Sequence, residues 1–460
     1  MYRLSYSFLI FSISVSCLTA QLKNERLPNV IYIMADDLGY GDLGCYGQKT
    51  LLTPNIDKMS KEGVRLTQFY SGSTVCAPSR CALMTGKHMG NAYIRGNKEL
   101  PLRSNDMTLA KMMKQKGYVT GMFGKWGLGL EGNSGSPEKQ GWDQFLGYLH
   151  HRAAHRFNVD HLWEVKNGNL SKLPMDTMTN TYPFIFKAAQ NFISEHKAEP
   201  FFLYLPVTIP HAEMRAPTEE SLKPFVKDGK SIFTEKPFVN VSYASYRPQE
   251  MPNAAFSAMM WQLDQDVGKL LQLLKDLNLD SNTYVFFTSD NGPHQEGGRE
   301  VEYFDSNGSL KGYKRDLYEG GIRVPMIAWA PGKIKPGTTC EEPFANWDIL
   351  PTLSELTNQK VPLDIDGISF YNELHNQKPK QKHTYLYWEF FERGFDQALR
   401  AGDWKIVRRS MNGSKTELYN LVNDISEQSD VAAQYPEKVI YLEQLMAKAR
   451  VDSQEFPIKK

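Results

Sequence analysis

Cysteine is scarce in this chain. There are five among 460 residues: Cys17, Cys45, Cys76, Cys81 and Cys340. Four remain beyond the leader-like start, too few and too scattered for a disulfide framework, and the default role of each is a small buried hydrophobe. An excess of either charge is also missing, with Lys plus Arg at 53 and Asp plus Glu at 52. Near-neutrality argues against nucleic acid as a partner, because bulk phosphate binding needs a basic face. Any preference for an anion is left to a local pocket. Long apolar runs are lacking too, so no transmembrane segment is expected.

The start, "MYRLSYSFLIFSISVSCLTA", is weakly basic at Arg3, apolar from Phe8 to Val15, and ends in small residues. That pattern predicts a signal peptide over residues 1–20 and an exported protein, periplasmic or secreted. Cys17 follows "SVS", a loose match to a bacterial lipoprotein box, so a lipid anchor at Cys17 stays open. At 460 residues the chain is long enough for a large domain plus a smaller one.

Short β-rich apolar runs alternate with helical patterns, which predicts an α/β domain with helices on both faces of a sheet. Strands are expected at 29–34, 118–123, 201–207, 283–289 and 324–330. The clearest helix runs over 254–277, with Phe256, Met260, Leu263, Val267, Leu270, Leu274 and Leu277 at helical spacing and Asn253 suited to cap it. Past residue 360 the texture changes to short strands and a closing helix near 436–450. The expected division is 21–360 for the large domain and 361–460 for a small C-terminal unit with an antiparallel sheet and a helix.

Sites in open α/β sheets form at the carboxyl ends of strands, and four expected ends carry ionisable residues. Asp36 and Asp37 follow the first, and Asp290 and Asn291 follow "TYVFFTS". Either pair alone reads equally well as a turn former. Together, three carboxylates and an amide oxygen would repel unless a hard cation sat among them, and oxygen donors suit Ca²⁺ or Mg²⁺ rather than zinc. Lys125 and His211 end two further strands. In "CAPSR", Pro78 suits a first helical turn, which places Cys76 at a helix N-terminus with Arg80 one turn in. Taken alone, that is also where a reactive thiolate would sit.

CxPxR, here Cys76, Pro78 and Arg80, resembles the signature of the type I, arylsulfatase-A-like sulfatases, whose cysteine is oxidised to formylglycine. "NVIYIMADDLGYGDLGCYG", "GYVTGMFGKWGLG", "SDNGPHQEGG" and "LKGYKRDLYEGGIRVP" are similar to further segments of that family, and the likeness spans roughly residues 28 to 430. The resemblance implies an alkaline-phosphatase-like α/β fold with a mixed sheet and a small C-terminal domain. It implies a sulfuric ester hydrolase acting on sulfated glycans such as those of marine algae, matured by a formylglycine-generating or other sulfatase-maturating enzyme. By motif position, Asp36, Asp37, Asp290, Asn291 and the converted Cys76 would bind Ca²⁺. Arg80, Lys125 and Lys314 would hold the hydrate and sulfate oxygens, and His211 would contact the sulfate or the leaving oxygen.

One position departs from the family. Many relatives carry a histidine two residues after the lysine, where this chain has Gly127, which cannot carry a proton. His151, His155 and His294 are candidates to replace it, with surface or substrate-binding roles as equal alternatives. Tyr148, Arg156, Trp163 and Arg393 are candidates to line a carbohydrate pocket. Two rival readings are a phosphatase or phosphodiesterase of the same superfamily and a catalytically silent glycan-binding protein. The first normally uses Ser or Thr and two zinc ions, whereas this chain shows CAPSR and one evident metal site.

Overall fold

The structure, a computed structural model, describes residues 26–239, 246–410, 413 and 415–458. The expected signal peptide, Cys17 and the Asn240-Val241-Ser242 sequon lie outside them. Five strands run parallel at the centre of the main sheet, in the order Thr283–Ser289, Asn29–Ala35, Phe201–Pro206, Val119–Lys125 and Gln144–Tyr148. Arg323–Trp329 joins one side antiparallel, and the hairpin His161–Lys166 and Asn169–Pro174 extends the other. The sheet is therefore mixed, as the family likeness implies.

Side chains of one strand alternate between two cores, as the pleat requires. Val30, Tyr32 and Met34 belong to the cluster on one face, and Ile31, Ile33 and Ala35 to the cluster on the other. Both faces are buried, which is why these strands read as unbroken apolar runs rather than as alternation. The long helix is Pro252–Asp276, and its expected apolar stripe from Phe256 to Leu274 packs on the second face.

Asn253 does not cap that helix. Pro252 opens it, Met251 is the N-cap residue, and Asn253 lies inside, buried, with Nδ2 donating to the Thr234 carbonyl at 2.8 Å. The free amides of Asn253 and Ala254 are taken instead by the Glu235 carboxylate, at 2.8 and 2.9 Å. An acid at a helix N-terminus satisfies donors and opposes the dipole. Here it arrives from a separate segment, which local capping rules do not reveal.

Leu386–Phe390, Asp396–Ala401, Trp404–Arg408 and Thr416–Asn420 form a second, antiparallel sheet in chain order, followed by the helix Pro436–Lys448. One face of this sheet packs on that helix through Tyr387, Leu399, Ile406, Leu418, Leu442 and Met446. The other face, with Trp388, Phe390, Ala398 and Val407, is continuous with the core of the main sheet. Buried charge joins the two as well. Lys405 Nζ lies 2.9 Å from both Glu319 and Glu427, and Glu319 also meets Arg323 at 3.2 Å and Tyr70 at 2.7 Å. Burial pushes the Glu427 carboxyl up to about 7 in spite of Lys405.

Removing one partner of a buried ion cluster strands the others. Lys405→Met is expected to lower the unfolding free energy by about 3–5 kcal/mol, read by denaturant titration. A loss within that of ordinary surface substitutions would show that the cluster does not tie the sheets together.

Candidate active site

Every acid of the site starts from the end of a parallel strand. Ala35 and Ser289 are partners in adjacent strands, so the residues that follow them, Asp36 and Asp37 on one and Asp290 and Asn291 on the other, leave the sheet side by side. Asp37 takes a left-handed backbone, φ +63°, a conformation Asp tolerates better than most residues. Its amide donates to Asp290 Oδ1 at 3.1 Å. Lys125 is the last residue of its strand, and His211 lies just past Phe201–Pro206.

Cys76 opens the helix Cys76–Thr85, with Pro78 in its first turn, as the CAPSR pattern predicts. The helix is buried throughout, so it acts as a fixed mount. Arg80 reaches from it to Asp290 Oδ2 at 2.8 Å and donates to the Lys125 carbonyl at 2.7 Å. Lys125 Nζ lies 2.7 Å from Asp36 Oδ2 and 3.2 Å from Cys76 Sγ. Lys314, from the loop before strand Arg323–Trp329, places Nζ 2.7 Å from Asp37 Oδ2 and 3.2 Å from His211 Nε2. The expected nucleophile position, three acids, three cations and His211 thus meet in one buried cluster.

The electrostatics follow from that crowding. Although burial alone would raise it, Lys314 and then His211 hold Asp37 well below the carboxylate range. Burial and then the charge of Asp36 push Asp290 up to about 7. Burial pushes the Cys76 thiol up to about 12, outweighing Lys125 and Lys314. An unconverted sulfhydryl there is a poor nucleophile near neutral pH, which removes the advantage of a reactive-thiolate site.

The cluster offers atoms that could hold a metal ion, although the four that lie closest together include a sulfur and an imidazole nitrogen and do not include Asp290. One ligand atom from each of Asp36, Asp37, Cys76 and His211 lies within 4.8 Å of the others; His211 was not among the ligands expected from sequence. Asn291 Oδ1 is buried without a hydrogen-bond partner, while Nδ2 donates to Asp37 Oδ1 at 2.6 Å and to the Gly292 carbonyl at 2.9 Å. The oxygen and nitrogen of an amide are distinguished by their partners. Half a turn would bring Oδ1 against the Asp37 carboxylate, an arrangement stable with a cation between them.

His155 and His294 flank His211, their ring centroids 4.5 and 5.6 Å away. His151 and His155 line a cavity of about 470 Å³ together with Cys76 and Lys314. His294 does not reach that wall. It is fully buried, Nε2 bonds the Pro210 carbonyl at 3.1 Å, and Nδ1 accepts the Glu296 amide at 3.0 Å. Both nitrogens are committed to backbone, which leaves none for a substrate.

None of the four residues considered for a carbohydrate pocket lines this cavity. Tyr148 and Trp163 line a separate cavity, and Arg393 pairs with Asp316 at 3.4 Å; Arg156 is absent from the lining. The wall beside Cys76 comes instead from Lys98, Arg152, Arg315, Phe391 and Phe456. Arg315 neighbours Lys314 in "YKRD", a signal within reach. Phe456 lies beyond the terminal helix and carries none.

The chain's residues 28–359 match the family described as Sulfatase. This chain belongs to the sulfatase family. Residues 310–452 match a second family description, N-sulphoglucosamine sulphohydrolase, C-terminal. N-acetylgalactosamine-6-sulfatase of Canis lupus familiaris is 31% identical over 373 residues, 74% of this chain and 65% of that protein. The chain therefore spans about 65% of the length of this curated relative. N-acetylgalactosamine-6-O-sulfatase of Bacteroides thetaiotaomicron is 30% identical and is matched over 92% of this chain and 93% of that protein. Among solved structures, the crystal structure of Ps i-CgsB in complex with k-i-k-neocarrahexaose superposes with a TM-score of 0.76 at 27% identity, covering 92% of each chain.

The buried histidines make stability depend on pH. Burial lowers His151 to about 3 and His294 to about 4, against an ordinary value of about 6.5. Between those values the unfolded chain binds protons that the folded chain does not, so stability falls as pH is lowered through that window. The thermal midpoint is expected to drop from pH 7 to 4.5, and less steeply in His294→Gln. Equal slopes would place the proton uptake elsewhere.

Proposed function

We propose that this sulfatase-family chain is an exported hydrolase of sulfate esters on polysaccharides or oligosaccharides, with Cys76 converted to formylglycine and Ca²⁺ bound beside it. The carrying observation is the placement of Cys76 at a buried helix start, amid Asp36, Asp37, Asp290, Arg80, Lys125 and Lys314, on the wall of a cavity. Asp36, Asp37, Asp290 and Asn291 would hold the cation with the residue at position 76. The ion supplies Lewis-acid charge, and the converted side chain supplies a hydroxyl oxygen as nucleophile in place of sulfur. Conversion calls for a sulfatase-maturating enzyme as partner. The glycan substrate is supported by the bacterial relative's name and by the neocarrahexaose complex of the similar structure.

Three carboxylates balance three cations in the cluster, so a divalent cation gives the site a positive excess that suits an anionic ester. Arg80, Lys125 and Lys314 are oriented before substrate arrives, and fixed donors aimed at developing charge are the largest contribution a site of this kind makes. His211 Nδ1 is directed at the Ala212 carbonyl, which makes Nε2 the acceptor toward Lys314 Nζ at 3.2 Å. Lys314 is held well above its ordinary value, since the Asp37 carboxylate outweighs burial. The proton needed by a departing sugar oxygen is therefore stored on Lys314, next to His211.

For sulfate to leave and the carbonyl of the converted side chain to re-form, a base must take the proton of its second hydroxyl, and Gly127 offers none. Gly127 has φ +81°, and the atom nearest to an added Cβ is His151 Cβ, at 3.7 Å. His151 therefore stands beside the vacant position and on the cavity wall, whereas His294 has no free nitrogen. We infer that His151 is the base.

Two measurements test this reading. Protein matured in its natural host is expected to show, in the peptide across residue 76, the mass of a carbonyl in place of a sulfhydryl, and to release sulfate from members of a panel of defined sulfated oligosaccharides. An intact sulfhydryl in active protein would refute the mechanism. His151→Ala is expected to slow turnover by about 10²–10⁴-fold, the range of a general base. Unchanged turnover would remove His151 from the chemistry.

A further inference from the structure

The cavity above Cys76 does not end there. Arg152, His155 and Arg315 line both this space of about 470 Å³ and a second one of about 800 Å³. These residues form the threshold between two volumes, each of a size that takes a small ligand.

The charges along the two cavities are not equally free. Lys98 is paired with Glu455 at 2.5 Å, Lys236 with Glu300 at 2.6 Å, and Arg299 with Asp42 at 3.3 Å. Lys314 is paired with Asp37 and Arg315 with Glu296, both at 2.7 Å. Arg315 is further fixed by its backbone, left-handed at φ +76°, with its amide donating to the Thr74 carbonyl at 3.1 Å. Arg152 differs from all of these. It is exposed, and among the described residues its guanidinium makes no ion pair or hydrogen bond. Glu99, an acid that feels its charge, is already engaged by His150 Nε2 at 2.7 Å.

An uncommitted guanidinium at the junction of two cavities is a receptor for an anion, because its fork of N–H donors matches a carboxylate or sulfate without first breaking an internal pair. We propose that Arg152 binds a second acidic group, a carboxylate or sulfate, on the sugar unit next to the one that loses its sulfate. This assignment rests on the sulfatase reading above and narrows its substrate to oligosaccharides with acid on adjacent units. Phe391 and Phe456, with ring centroids 5.3 Å apart, add an apolar wall to the first cavity, suited to the C–H face of a sugar.

The test uses sulfated disaccharides of galactose, N-acetylgalactosamine and glucosamine. Each is prepared with a uronate, a sulfated hexose or a neutral hexose as neighbouring unit. Calorimetric binding to the full chain with Cys76 unconverted reads affinity independently of turnover. At least one acidic form is expected to bind about tenfold more tightly than its neutral counterpart, the scale of one charge-assisted hydrogen bond. Which acidic form gains identifies the carboxylate or the sulfate as the group recognised. Arg152→Ala is expected to erase the difference and Arg152→Lys to keep part of it. Equal affinity for acidic and neutral forms, no measurable binding of any acidic form, or a preference that survives Arg152→Ala overturns the proposal. The two readings fail separately. Sulfate released without preference for an acidic neighbour refutes the subsite and leaves the hydrolase, whereas an Arg152-dependent preference with no sulfate released by matured protein refutes the hydrolase and leaves the subsite.

Discussion

The parallel register that pairs Ala35 with Ser289 brings strands more than 250 residues apart to a common end, and the three carboxylates that emerge from it are fully buried beneath the cavity. Like charges so placed cannot all ionise without compensation. Each cation of the cluster answers one acid: Arg80 for Asp290, Lys125 for Asp36, and Lys314 for Asp37. The positions of the helix Cys76–Thr85, the end of strand Val119–Lys125 and the loop carrying Lys314 follow from that demand. Formal charge is balanced, but the hydrogen bonding is not complete: Asn291 Oδ1 is left without a partner, and burial with the nearby Asp36 still raises Asp290. A cation among these oxygens would give the orphaned amide oxygen a partner and favour the charged form of Asp290.

The same constraint explains how closely the C-terminal sheet is tied to the main one. Trp388 Nε1 donates to the Ser71 carbonyl at 2.9 Å, just ahead of the segment that leads into Cys76. Glu319, at the start of the short helix after the Lys314 loop, is held by Lys405 from the second sheet. Moving that sheet would shift both the helix that carries Cys76 and the loop that carries Lys314. Phe391, Glu392 and Phe456 then complete the cavity wall, so the second sheet shapes the site without supplying a residue to the charged cluster.

How much of this was legible in the sequence depends on how local each cause is. Strand residues buried on both faces appear as apolar runs, so each of the five expected strands is found within a residue or two of its bounds. Polar and ionisable residues at the ends of such runs mark the carboxyl ends where sites form, and that is why Asp36, Asp37, Asp290, Asn291 and Lys125 could be named in advance. The cap of the long helix was not legible, because Glu235 reaches it through tertiary packing. Nor was the cavity wall: Tyr148 and Trp163 have the composition of a sugar pocket but face another cavity, and Phe456 enters from the far end of the chain. Histidine roles were the least readable. Nothing in the spacing of "DNGPH" tells that both nitrogens of His294 are spent on backbone.

Gly127, at the position where the family resemblance implies a histidine, also sets the local backbone. Its left-handed backbone, φ +81°, is one that side chains rarely adopt, so a histidine at this position would need a different local path as well as a different side chain. The turn allowed by glycine sends the chain from Lys125 past the segment carrying His151, and no atom lies closer than 3.7 Å to where a Cβ would stand. Glycine thus leaves open a space beside the cluster, and His151 stands at its edge. On the proposal that His151 is the base, the proton carrier comes from a neighbouring loop, beside the space that the glycine leaves. A substitution restoring histidine at 127 would meet both the strain of that φ and the presence of His151, so the two positions are coupled and are not interchangeable one at a time.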